Sequence, residues 1–224
     1  MIYITGDKHR DFSIVDEFCY RFETTKNDIL VVLGDAGLNW FLDSDDYALK
    51  DYLKIIPITF FCIHGNHEER PECIRTYKTK RFKGGIVYYE KKYPNILFAK
   101  DGEVYSFDHK KVLVIGGAYS VDKEYRLKMG YRWFETEQPN EEVKNKIKKK
   151  IKKLKKVDYV FSHTCPYSMI PVKNILKNND YTTEYFLEYI KNNLKYEKWF
   201  CGHFHINKVD DDINFLFDKF DILW

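Results

Sequence analysis

Pro57-Ile58-Thr59-Phe60-Phe61-Cys62-Ile63-His64-Gly65-Asn66-His67-Glu68 decides the fold. An apolar, β-branched and aromatic run ends at a glycine followed by Asn, His and Glu. It reads as a buried strand that delivers polar side chains at its end. Two runs upstream repeat the design: Ile2–Thr5 enters Asp7-Lys8-His9, and 28–33 enters Gly34-Asp35. Between the three runs lie two helical patterns. Residues 11–25 carry Phe12, Val15, Phe18, Cys19 and Phe22 on one face, and 45–55 carry Tyr47, Leu49, Tyr52 and Leu53. Strand–helix–strand–helix–strand predicts a parallel sheet with crossover helices. Ligands of such sheets gather beyond the carboxyl ends of the strands, which is where all three polar blocks fall.

The second half is richer in hairpin signals. Short strands are expected at 86–89, 96–98, 104–107 and 112–115, with turns between them at Asp101-Gly102 and Asp108-His109-Lys110. Residues 140–156 are the clearest helix: Asn140 caps it, Glu141 and Glu142 fill its first turn, and lysines fill its last. Its apolar stripe is Val143, Ile147, Ile151 and Leu154. A strand at 157–161 delivers His163, a helix covers 183–194, and a strand at 199–201 delivers Gly202-His203-Phe204-His205. Residues 213–217 and 220–223 read as a closing hairpin. No repeat, linker or boundary interrupts the chain, so one domain over 1–224 is expected.

The 224 residues are enough for one α/β domain with a real core. No apolar stretch is long enough to span a bilayer. The start of the chain runs directly into the first motif, with no basic and apolar leader pattern. Five cysteines, an odd number without a C-x-x-C pair, argue against a disulfide framework or a thiolate zinc site. A cytoplasmic, reducing setting is the expectation. Net charge is +3, too mild to signal nucleic-acid binding.

Five blocks then carry the chemistry: Asp7-Lys8-His9, Gly34-Asp35, Gly65-Asn66-His67-Glu68, His163, and Gly202-His203-Phe204-His205. Each offers hard oxygen or imidazole ligands at the end of a strand-like run. Two Asp, one Asn and four His suffice for two metal ions. Such a pair of ions, roughly 3.5–4 Å apart, clamps the attacking and leaving oxygens of a phosphoryl transfer.

The order of these blocks resembles the calcineurin-like metallophosphoesterase superfamily, from Asp7 to His205. The resemblance implies an α/β fold of two packed mixed β-sheets flanked by helices, a four-layer sandwich. It implies that Asp7, His9 and His205 bind one metal, that Asn66, His163 and His203 bind the other, and that Asp35 bridges them. Mixed nitrogen and oxygen ligands suit manganese, iron, zinc or nickel, with manganese foremost. The implied activity is hydrolysis of a phosphodiester or phosphomonoester by a metal-bound hydroxide. His67 would face the phosphate and protonate the leaving oxygen, with Glu68 as its orienting partner. The substrate would be a phosphorylated small molecule, a nucleotide or a nucleic acid. The alternative from a different class is a non-catalytic metal-binding scaffold on the same fold, which would be expected to lose ligands that this chain keeps.

One departure stands out. The protein-phosphatase branch carries a phosphate-clamping arginine just after its Gly-Asp motif. Here the stretch is Ala36-Gly37-Leu38-Asn39-Trp40, which argues against a Ser/Thr protein phosphatase. Arg126 and Lys123, beyond Gly116-Gly117, are the candidate substitutes, weighed against a salt-bridged loop. His64 is expected to be a hydrogen-bonded structural residue and His109 a turn residue. The lysines of 144–156 are expected to form a solvated face rather than a nucleic-acid surface.

Overall fold

A computed structural model describes residues 1–171 and 179–223. Thirteen strands and five α-helices are defined among them. The first half alternates as expected: β1 (Ile2–Thr5), α1 (Ser13–Arg21), β2 (Ile29–Val32), α2 (Ser44–Ile55) and β3 (Thr59–Cys62). Then follow β4 (Lys78–Phe82), β5 (Gly85–Tyr89), β6 (Ile96–Ala99), β7 (Val104–Phe107) and β8 (Lys110–Ile115). The rest comprises α3 (Lys123–Met129), α4 (Glu141–Leu154), β9 (Tyr159–Ser162), α5 (Thr182–Asn193), β10 (Lys198–Cys201), β11 (Lys208–Asp210), β12 (Ile213–Phe215) and β13 (Asp221–Ile222).

The strands form two mixed sheets. One runs β13-β1-β2-β3-β6-β5-β4 and the other β11-β12-β10-β9-β8-β7. Period-2 alternation splits each central strand between two cores. Ile2, Ile4, Ile29, Val31 and Phe61 meet Val112, Val114, Phe161 and Phe200 between the sheets. Their neighbours Tyr3, Leu30, Val32 and Phe60 face α1 and α2 on one outer side. Leu113, Val160 and Trp199 face Ile147 and Ile151 of α4 and Leu187 and Ile190 of α5 on the other. The order of layers is therefore helix, sheet, sheet, helix, as the resemblance implied.

Asn140 caps α4 by accepting from the Val143 amide, as expected. The Asp108-His109 pair turns β7 into β8, both residues at positive φ, the conformation of a tight two-residue hairpin.

Three local expectations are corrected. Asp101-Gly102 does not close a hairpin: β6 belongs to the first sheet and β7 to the second, so the turn carries the chain across. The closing hairpin at 213–217 and 220–223 does not form either. β12 pairs antiparallel with β11, while β13 crosses to pair with β1. Both sheets had an open edge, and the last strand covers the one beside β1. The 123–126 segment is a helix, α3, not a loop.

The register levels the strand ends. Thr5 pairs with Val32 and Val32 with Cys62 across β1, β2 and β3. Ile115 pairs with Ser162 and Ser162 with Cys201 across β8, β9 and β10. Each of these strands except β8 is followed by one of the five polar blocks, so the blocks share one rim.

Candidate metal centre

Two aspartates organise the rim in the same way. Asp7 Oδ1 accepts from the His203 amide (2.8 Å), and Asp35 Oδ1 accepts from the His67 amide (2.8 Å). Each carboxylate thus ties its own loop to another with one oxygen and turns Oδ2 inward. Asp7 Oδ2 lies 3.2 Å from His205 Nε2 and 3.7 Å from His9 Nε2. Asp35 Oδ2 lies 3.6 Å from His163 Nε2, 3.9 Å from His9 Nε2 and 3.9 Å from His67 Nε2. The His163 and His203 rings sit 4.9 Å apart. All seven residues expected as ligands therefore meet in one place.

The loops are held open for this by conformations that most residues avoid. His9, Asp35, His203 and His205 all have positive φ, between 43° and 67°. Gly65 and Gly202 are required by close approach. A Cβ at Gly65 would fall on the Asp35 carboxylate, and one at Gly202 on that of Asp7.

The donor set fits cations. His163 Nδ1 faces the Leu33 carbonyl at 2.9 Å and must donate to it, which leaves Nε2 as a lone pair. That lone pair points at Asn66 Oδ1, 2.8 Å away. Asn66 Nδ2 donates to Ser120 Oγ, so the amide oxygen is the atom turned inward. Acceptor faces acceptor, an arrangement a metal ion resolves. Asp7 Oδ2 is likewise buried without a well-formed hydrogen bond. Three groups bring their ligand atoms within 4.8 Å of one another: Asp7, His9 and His205; His9, Asp35 and His67; and Asp7, Asp35 and His163.

Burial works to raise the Asp7 carboxyl, but His163, His205 and His203 together hold it down at about 2. Burial and the neighbouring His163 push His203 down to about 3. The Asp7 carboxylate beside its ring raises His205.

His67 shares a group with His9 and Asp35, and its ring is also engaged by residues outside the expected ligands. Its ring stacks on Trp40, with centroids 5.4 Å apart and planes 17° apart, and Arg126 Nη2 is hydrogen-bonded to its Nδ1. Burial first, then the Arg126 charge, bring its pKa to about 3. The neutral ring then carries its proton on Nε2, because Nδ1 accepts from Arg126. A phosphate anion beside it would draw the pKa back up, since an opposite charge favours imidazolium.

Glu68 is not the partner of His67. Its buried carboxylate accepts from the amides of Gly37 (3.1 Å), Leu38 (3.2 Å) and Gly65 (3.4 Å), and so fastens the loop after β2 to the loop after β3. Burial, then Asp35, raise it to about 8. Arg126 reaches the site and Lys123 does not accompany it: Lys123 Nζ sits over the Trp133 ring at 3.8 Å. Trp40 and Ser120 were not anticipated. The signal for Trp40 in the sequence is a tryptophan so soon after a Gly-Asp motif. His64 is buried, with the Thr136 backbone as its polar neighbour, although neither ring nitrogen makes a hydrogen bond of good geometry. Burial and Arg70 keep it neutral.

Behind the site, Glu184 is raised from 4.5 to about 7 by burial. Thr164, next to His163, donates to its Oε1 (2.9 Å), and Oε2 has no partner. A carboxyl raised on folding holds its proton more tightly in the folded chain. Its contribution is complete below the unfolded pKa and is lost as pH climbs through about 7. Glu184→Gln should therefore raise stability at about pH 8 by up to ~3 kcal/mol, and much less at about pH 5. Denaturant midpoints at the two pH values measure this, and equal shifts at both would refute the ionisation argument.

Residues 1–207 match the family described as calcineurin-like phosphoesterase. Two solved structures share the fold. One is 14% identical with a TM-score of 0.53, covering 96% of this chain and 88% of its own. The other, TT1561 of Thermus thermophilus, is 12% identical with a TM-score of 0.51, covering 96% and 87%. No curated protein matches the sequence. Among the described residues no helix is long and apolar enough to cross a membrane. With its phosphoesterase match over 1–207 and its ligand groups gathered on one rim, the chain belongs to the calcineurin-like phosphoesterases and is a metal-dependent phosphoester hydrolase.

Proposed function

We propose that the chain acts as one domain with a binuclear centre, hydrolysing a phosphomonoester or phosphodiester of a small molecule, a nucleotide or a nucleic acid. The observation that carries this reading is Asp35 Oδ2, which lies within 3.9 Å of ring nitrogens from both ligand sets, His9 on one side and His163 on the other. Asp7, His9 and His205 would hold one ion, Asn66, His163 and His203 the other, and Asp35 both. Nitrogen and oxygen donors without thiolate favour a borderline transition metal, and we take manganese as the first candidate. Five cysteines without a C-x-x-C pair suit a reducing, cytoplasmic setting.

When bound, the two ions supply Lewis-acid polarisation of the phosphoryl oxygens and acidify a water at neutral pH. The protein's own groups do the rest. His67 presents Nε2–H on the open side of the cluster, where it donates to the leaving oxygen. Arg126 holds His67 from behind and offers its remaining N–H groups to a phosphate oxygen.

The position of Arg126 bears on substrate charge. A site with only the ions and His67 would favour diesters. With Arg126 inside, the added cation favours the more highly charged monoester. Arg126→Ala should lower kcat/KM for an aryl monophosphate about 10–100-fold more than for a matched diester, the worth of one charged hydrogen bond. An unchanged ratio would return Arg126 to a structural role. The reading as a whole is tested by metal content after reconstitution and by a panel of bis-aryl phosphodiester, aryl monophosphate, RNA and dinucleotide substrates. Two metal equivalents with turnover of at least one ester are expected. Two equivalents with no turnover would favour the scaffold.

A further inference from the structure

We propose that Trp40 is a positioning residue of this site: one face of its indole seats the His67 imidazole and the Arg126 guanidinium side by side, and so aims both toward the metal cluster. The inference rests on the reading of His67 and Arg126 as phosphate-facing groups.

The shared face follows from three contacts. The His67 ring lies 5.4 Å from the Trp40 ring and nearly parallel to it. The Arg126 Cζ lies 4.8 Å from the same ring. Arg126 Nη2 is hydrogen-bonded to His67 Nδ1 and lies 3.3 Å from Nε2. On opposite faces of the indole, the two groups would be separated by both centroid distances together, far beyond hydrogen-bond reach. They must therefore sit on one face. An indole face attracts a guanidinium through its quadrupole and accepts a flat imidazole by stacking.

The consequence is chemical. With Nδ1 committed to Arg126, the neutral imidazole keeps its hydrogen on Nε2, the nitrogen 3.9 Å from Asp35 Oδ2. Tilting or removing the platform would free Arg126 from the ring and release the choice of tautomer.

The platform is itself fixed by the residues that follow His67. Glu68 holds the amides of Gly37 and Leu38. The Glu69 amide donates to the Asn39 carbonyl (2.9 Å). Asn39 Oδ1 accepts from Lys50 Nζ and from Tyr77 Oη, each at 2.9 Å, and Lys50 is buried against Glu90. Phe41 and Phe134 meet the Trp40 ring edge-on. The arm it receives is equally specific. Arg126 is 8% exposed while Tyr125, Leu127 and Met129 on the same short helix are 50–57% exposed, so α3 is docked through this arginine. Asp122 holds the Arg126 Nε at 2.7 Å and sets its direction.

A tryptophan that merely fills space between Phe41 and Phe134 makes different predictions. Trp40→Leu keeps the apolar volume without a flat face, and Trp40→Phe keeps a smaller face. Trp40→Leu is expected to lower kcat about 10–100-fold with KM little changed, the range for residues that orient a functional group. Trp40→Phe should recover much of the loss. The effect should largely vanish when Trp40→Leu is made in an Arg126→Ala background, because both changes release the same ring. An equal loss in both backgrounds, or none, overturns the proposal. The second readout needs no turnover. In ¹⁵N-labelled protein without added metal, the His67 ring should show the Nε2–H tautomer, and Trp40→Leu or Arg126→Ala should mix the tautomers. An unchanged ring spectrum in Trp40→Leu overturns the proposal too. Melting temperatures and metal content are followed in parallel, and if Trp40→Leu is unstable the same measurements are read on Trp40→Met, which also lacks a flat face. Were the wild-type protein inactive on every phosphoester, the proposed function would fall, while the ring spectrum would still decide the role of Trp40.

Discussion

Asp35→Asn is expected to empty the centre and remove activity by at least about 10²–10³-fold, the scale for losing one preorganised electrostatic group. Two effects combine. On the binuclear reading proposed above, the negative charge between the two ligand sets disappears, and repulsion between the two cations is no longer offset. The loop clamp changes little, because the Asn oxygen can still accept from the His67 amide where Asp35 Oδ1 does so at 2.8 Å. Metal analysis after dialysis and kcat/KM with excess metal are the measurements. Full retention of both ions in Asp35→Asn would remove Asp35 from the bridging position. An Asp7→Asn control separates the cases: on the proposed assignment it should weaken the site of Asp7, His9 and His205 first, leaving that of Asn66, His163 and His203.

His67→Ala should lower kcat by about 10²–10⁴-fold while metal content stays near that of the wild type. The expectation follows from its placement: its Nε2 is 3.9 Å from Asp35 Oδ2, and its other nitrogen is taken by Arg126. The loss should shrink for esters with strongly acidic leaving groups, which depart without a proton. Equal losses along a leaving-group series would leave His67 a phosphate-binding role only. Burial and the Arg126 charge, which favour a neutral ring, make that series informative. If the imidazole stays neutral when phosphate binds, it donates a hydrogen bond rather than a proton, and the dependence on leaving group becomes shallow.

Much of this arrangement was legible in the order of residues. Strands with both faces buried are continuous apolar runs, and 28–33 and 57–63 could scarcely be anything else. Helices with one buried face carry a 3.6-residue stripe, which located α1, α2, α4 and α5 to within a few residues. Elements without such a stripe escaped. β4 reads Lys-Thr-Lys-Arg-Phe and lies at a sheet edge, where polar side chains guard an unpaired strand and no alternation shows. α3 buries Arg126 and exposes its apolar residues, the inverse of the pattern that marks a helix.

What the sequence by itself determined is the inventory and its order: which side chains end which strands, and hence that seven candidate ligands belong to one rim. Strand ends are local properties, set by a run of β-branched residues and the glycine that stops it. What only the tertiary structure decided is partnership across the rim. Glu68 follows His67 in the chain yet grips Gly37 and Leu38, and Arg126, 59 residues beyond His67, takes the place beside its ring. The terminal strand joins β1 rather than its neighbour β12. The physical reason is the same in each case. A buried carboxylate, an imidazole nitrogen and an open sheet edge must each be satisfied by whichever group packing brings within about 3 Å, and sequence distance carries no energy in that choice.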